Sequence, residues 1–223
     1  MKLKFRQSSL TKKALVACAG LFMLVFLPVH LITNLFILPI TADHEQTFRE
    51  ITHFLGTFPV IKIIEIALMT AIVVHIFYTT ALYLQNRRAR PIRYKKPGRS
   101  ERTPFSRFMI HTGICLFIFI IIHFINFYFV KLGWVSVPEG VKNQDDFYPM
   151  IYRLFSNKYY SILYIILLIP VGFHLAHAFQ SAFQTLGLNH HLYTPVIQAV
   201  GYIFAVGITL GFISIPVYFL LFY

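Results

Sequence analysis

Apolar residues run along this chain in long stretches that few charges interrupt, at roughly 14 to 39, 60 to 86, 106 to 131, 159 to 186 and 196 to 222. Each exceeds the roughly 20 residues that a helix needs to cross the hydrocarbon core of a bilayer. The pattern predicts an all-α membrane protein of five transmembrane helices. What lies between the stretches is short: outer connections at about 41 to 58 and 132 to 157, and inner ones at 87 to 105 and 187 to 195. Residues 1 to 223 are therefore expected to form a single transmembrane domain with no extramembrane domain. Pro91 and Pro97 rule out a continuous helix through the second connection.

Composition supports this reading. The chain is 57% hydrophobic and 13% charged, about half the charge of a soluble protein. A formal charge of +12 raises the question of nucleic acid, but its placement answers it. Lys2, Lys4, Arg6, Lys12 and Lys13 precede the first span, and Arg87, Arg88, Arg90, Arg93, Lys95, Lys96, Arg99, Arg102 and Arg107 crowd the second connection. Seven of the eight acids (Asp43, Glu45, Glu50, Glu65, Glu139, Asp145 and Asp146) fall on the other side. Basic loops stay in the cytoplasm, so the N-terminus is assigned inside and, after five spans, the C-terminus outside. Cys18 and Cys115 sit in separate spans with no metal-site or c-type haem spacing and read as small apolar filler. Ala17-Cys18-Ala19 lies at the very start of the first apolar run, before most of its apolar residues, where a signal-peptidase site would follow them, so the first helix is expected to be retained.

Four histidines lie well inside spans, one each in the first four: His30, His75, His123 and His174. Ionisable groups in a membrane helix are costly and point to function. One deep histidine on each of four helices matches bis-histidine ligation of two b-type haems, because each iron takes two axial imidazoles. Depth orders them. His30 is 17 residues beyond Lys13 and His123 is 16 beyond Arg107, about 24 to 25 Å of helix. His75 is 12 residues from Arg87 and His174 is 13 from Gly187, about 18 to 20 Å. His30 thus pairs with His123 on an outer haem iron, and His75 with His174 on an inner one. The first four helices are expected to form a dihaem four-helix bundle, with the fifth peripheral. Gly20 and Gly113, each ten residues before a histidine, fall near the inner level, where a missing side chain lets a flat macrocycle approach the backbone. His177, one turn after His174, is the rival ligand on the fourth helix; His111 sits near the inner end of the third, and His44, His53, His190 and His191 lie in loops.

The segment Gly20-Leu-Phe-Met-Leu-Val-Phe-Leu-Pro-Val-His30-Leu-Ile-Thr-Asn34 resembles the first helix of succinate dehydrogenase and fumarate reductase cytochrome b subunits of the b558 type. Phe173-His174-Leu-Ala-His-Ala-Phe-Gln-Ser181-Ala-Phe-Gln-Thr-Leu-Gly187 resembles the fourth. With Ser8 to Lys13 and Asn189 to Pro195, the resemblance covers essentially the whole chain. It implies the single-chain dihaem anchor of complex II in the bacterial cytoplasmic membrane. Such an anchor binds an iron–sulfur subunit that carries a FAD-containing flavoprotein, and it exchanges electrons with a quinone, by resemblance menaquinone. Carried over, the family ligands fall on His30, His75, His123 and His174, which selects His174 over His177.

Asn34, one turn after His30, and Ser181, two turns after His174, share a face with their ligands and are candidates for haem propionates or for backbone carbonyls. Glu65, ten residues before His75, is the acid nearest a span interior and a candidate for proton exchange with quinone; a pairing with Lys62 is the alternative. No acid/base pair or nucleophile for succinate chemistry is present in the chain. Two other functions are weighed: another five-helix dihaem b carrier such as the cytochrome b of nitrate reductase, whose ligands concentrate on two helices, and a haem-free transporter with a histidine-lined path.

Overall fold

The computed structural model describes residues 8–89 and 108–223. Lys2, Lys4, Arg6, Arg90 to Arg107, and Pro91 and Pro97 lie outside them, as does most of the expected basic strip. All the described elements are helical: α1 Ser9–Leu35, α2 His44–Thr57, α3 Pro59–Ala89, α4 Met109–His123, a π-helical turn Phe124–Tyr128, α5 Phe129–Lys131, α6 Phe147–Phe155, α7 Lys158–Thr185 and α8 Thr194–Phe222. Five spans are long and apolar enough to cross a membrane: α1, α3, the continuous run Met109–Lys131, α7 and α8. The chain is a multi-pass membrane protein.

Local chemistry sets the helix ends. Ser8 caps α1 by accepting from Thr11 N at 3.1 Å, and the Asn157 side chain accepts from Tyr159 N at 3.0 Å to start α7. Proline opens α3 at Pro59 and lies in the first turn of α8 at Pro195, positions where its missing N–H costs nothing. At the end of α7, Gly187 takes a positive φ of 85°. Leu188 N then reaches Phe183 O at 2.9 Å and Gly187 N reaches Gln184 O at 3.1 Å, which closes the last turn. The first span begins at Ser9, earlier than the apolar run, because Lys12 and Lys13 join the helix although they do not belong in hydrocarbon.

The outer connections, expected as short caps, carry helices of their own. In α2, Phe48 is 1% exposed and anchors a cluster with Ile37, Ile151, Phe155 and Phe219. Arg49 pairs with Glu45 one turn earlier and with Asp146 just before α6, and its guanidinium lies 5.1 Å from the Tyr148 ring. Partial burial opposes the Arg49 charge, but hydrogen bonds to Asp146 and Glu45 outweigh it and push its pKa up. Desolvation raises the phenols of Tyr148 and Tyr152 beside it.

Four spans stand as the corners of a square. Helix α1 packs on α3 and α7, and α7 packs on α4. Among the described residues no Cα of α1 comes within 8 Å of α4, and none of α3 within 8 Å of α7 or of α4. The diagonals and the α3–α4 side are therefore open at backbone level. Helix α8 is outside the square, yet its packing is close: Ala205 and Ile208 share a buried cluster with Leu24, Leu31, Leu168, Val171 and Leu175. A Cβ on Gly211 would lie 2.6 Å from Leu31 Cδ2.

Candidate functional site

The four deep histidines face each other across the open diagonals. His30 of α1 and His123 of α4 have ring centres 5.8 Å apart, with planes at 83°. His75 of α3 and His174 of α7 have ring centres 6.5 Å apart, with planes at 67°. These are the same two pairs that helix depth gives, and His174 of α7 faces the His75 ring.

Contacts of the two glycines set the vertical register. A Cβ on Gly20 would lie 3.7 Å from Cε1 and Nδ1 of His75, and one on Gly113 would lie 3.8 Å from Cε1 of His174. Both glycines are therefore level with the inner pair. Ten residues further along their helices stand His30 and His123, about 15 Å towards the outer face. The same spacing on α3 and α7 brings Glu65 and Tyr164 to the outer level. There Asn126 Nδ2 donates to Tyr164 Oη at 3.0 Å, Phe119 stacks on His123 with ring centres 5.8 Å apart, and Phe212 of α8 lies 5.5 Å from the His30 ring.

Each ring nitrogen environment differs. Nδ1 of His75 lies 3.3 Å from Val16 O, and Nδ1 of His174 lies 3.4 Å from Thr112 Oγ1. Asn34 Nδ2 donates to His30 O at 2.7 Å and sits 3.3 Å from His30 Nδ1. The Asn34 side chain thus bonds a backbone carbonyl of its own helix, one of the two roles its position suggests. His123 Nδ1 is buried without a hydrogen-bond partner. Ser181 lies two turns inward of His174, where its carbonyl accepts from Thr185 Oγ1 at 2.8 Å.

These residues fit a bis-histidine haem. The deep histidines come in twos, the number of axial imidazoles that a bis-histidine haem would take. Two imidazoles on one iron, each nitrogen about 2 Å from the metal and about 1.1 Å from its ring centre, set the ring centres roughly 6 Å apart. An outer contact that orients the other ring nitrogen is the usual companion of such a ligand.

Glu65 has a partner that sequence did not indicate. Its Oε2 accepts from Lys131 Nζ at 2.8 Å, whereas Lys62, one turn away on α3, is 3.7 Å off. The Tyr128 phenol also interacts with Glu65. On α7, Gly172 lies directly against α8, so that a Cβ would meet Thr209 Oγ1 at 2.6 Å. His111 is exposed beside Phe108, His44 lies against Tyr148, and His190 stacks on Tyr193 in the inner loop. No protein-family model, curated protein or solved structure matches the chain.

Proposed function

We propose that the chain is the dihaem cytochrome b membrane-anchor subunit of a succinate:quinone oxidoreductase, in a bacterial cytoplasmic membrane. In this reading it conducts electrons between a cytoplasmic iron–sulfur subunit, bound to a FAD-containing flavoprotein, and membrane quinone. The observation that carries the reading is the pair of imidazole pairs, 5.8 and 6.5 Å between ring centres, at two levels about 15 Å apart. Bound haem b supplies an iron that cycles between ferric and ferrous and so passes one electron at a time.

The chain's own residues do the rest. His30 and His123 hold the outer iron, and His75 and His174 the inner one. Gly20 and Gly113 leave room beside the inner pair, and Val16 O and Thr112 orient the two inner rings. The apolar walls contributed by Phe119, Phe212 and Leu31 exclude water from the outer level. Glu65 is the carboxylate that exchanges protons with quinone at that level. The basic inner surface suits docking of the iron–sulfur subunit, and the spread of ligands over four helices favours complex II over a nitrate-reductase-type carrier.

The test is a reduced-minus-oxidised spectrum with pyridine haemochrome quantitation of the chain purified with co-expressed partners. Two b haems per chain are expected. His30→Ala and His75→Ala should each remove a different one. A colourless protein would overturn the reading in favour of a histidine-lined transporter, and haem indifferent to both substitutions would overturn the ligand assignment.

A further inference from the structure

The third span abandons α-helical hydrogen bonding for one π turn, Phe124–Tyr128, immediately after His123. Such turns recur at functional sites because they insert a residue and rotate everything beyond it. An α-helix advances about 100° per residue, so it would turn Tyr128 about 140° and Lys131 about 80° from the His123 direction. A π turn advances about 82° per residue over its five residues, which leaves Tyr128 about 50° away and Lys131 roughly aligned with His123. Lys131 then reaches Glu65 of α3 at 2.8 Å, across the side of the square where the α3 and α4 backbones stay more than 8 Å apart among the described residues. This pair is largely covered by the protein itself. The Lys131 and Glu65 side chains are 15% and 20% exposed, against 46% for Lys62. Lys131 Nζ also lies 6.0 Å from the centre of the Tyr128 ring.

We propose that Lys131, with Tyr128, is the positioning residue for Glu65 in a quinone-headgroup site between the outer histidine pair and the outer ends of α3 and the third span, and that the π turn after His123 is the device that places it there. The inference rests on the reading of Glu65 as the quinone carboxylate and adds what holds it. An ammonium 2.8 Å away keeps the carboxylate ionised and aimed across the α3–α4 opening. A free glutamate in an apolar span would instead neutralise itself or snorkel outward. Lys62, farther off and more exposed, contributes little of this.

The experiment uses the haem-loaded complex with its partners and menadione as the quinone probe. Infrared spectroscopy follows the carboxylic C=O band that a protonated Glu65 contributes, identified by its loss on adding Glu65→Gln. Lys131→Met should keep both haems, show that band at neutral pH, and weaken menadione binding at least tenfold. Lys62→Met should do neither. Deleting Ile125 leaves Lys131 seven α-helical residues after His123, about 700° of rotation and so still nearly aligned with it, and should therefore keep Lys131 on Glu65 and show no band. Lys131→Met without the band, or an equal effect from Lys62→Met, overturns the inference. If Glu65→Gln alone leaves menadione affinity unchanged, the quinone role of Glu65 fails and this inference with it. If Glu65→Gln weakens binding and Lys131→Met does not, only the positioning role fails.

Discussion

Gly20 of α1 lies against the ring of His75 on α3, with a Cβ at that glycine 3.7 Å from Cε1 and Nδ1 of the imidazole. Gly113 of α4 faces the His174 ring of α7 in the same way at 3.8 Å, so each glycine marks the inner level on its helix. Small residues let membrane helices and their cargo approach closely. Here they do so beside a ligand pair.

A bulky group at Gly20 should therefore act on the inner level alone. Gly20→Leu is expected to lower inner-haem occupancy to less than half and to leave the outer haem in place. Pyridine haemochrome quantitation and a redox titration resolve the two.

Thr112 touches the Nδ1 side of His174 at 3.4 Å, where an outer partner orients the ring. Thr112→Val removes that oxygen at nearly constant volume and should cost about tenfold in inner-haem affinity. Titration of the apo complex with haemin, followed at the inner-haem absorbance, measures it. Thr112→Ser should restore most of the loss.

On the outer face, Phe48 fastens α2 to α6 and α8. Phe48→Ala should cost about 3 kcal/mol of local stability in that cap, seen as faster amide exchange in α2 with the inner-haem spectrum unchanged. Arg49→Ala, at a partly exposed ion pair, should cost no more than about 1 kcal/mol.

Helix α8 offers an internal control. Gly211 abuts Leu31, whereas a Cβ on Gly207, one turn earlier, would meet nothing within 4 Å. Gly211→Ile should lower the melting temperature through about 1 to 3 kcal/mol of overpacking, and Gly207→Ile should leave it within error. Thermal unfolding in one detergent compares the two.

Much of this molecule was legible along the chain. Hydropathy marks the five spans, and their ends differ from the helices by a few residues, since lipid-facing length and helix length are separate quantities, as Lys12 and Lys13 in α1 illustrate. The histidine pairs were also legible, because depth in a membrane depends on counting 1.5 Å per residue from a charged boundary, and that count needs no tertiary information. Glu65 was visible as an acid out of place. Lys131 was not, since the π turn that swings it towards α3 breaks the regular rotation on which every helical-face argument depends. The helical character of the outer caps was hidden for a related reason: α2 is held by Phe48 against residues from Ile37 to Phe219, a surface that exists only once the spans have assembled.

The sequence by itself determined composition-level facts and axial position: which segments meet lipid, which side is basic, and which imidazoles share a level. Tertiary structure alone decided azimuth: the diagonal pairing across an open square, Gly20 and Gly113 against the inner rings, and Lys131 on Glu65. Rise per residue is nearly constant in any helix, so height can be counted. Rotation about the axis has no external reference until neighbouring helices pack, and a single π turn resets it.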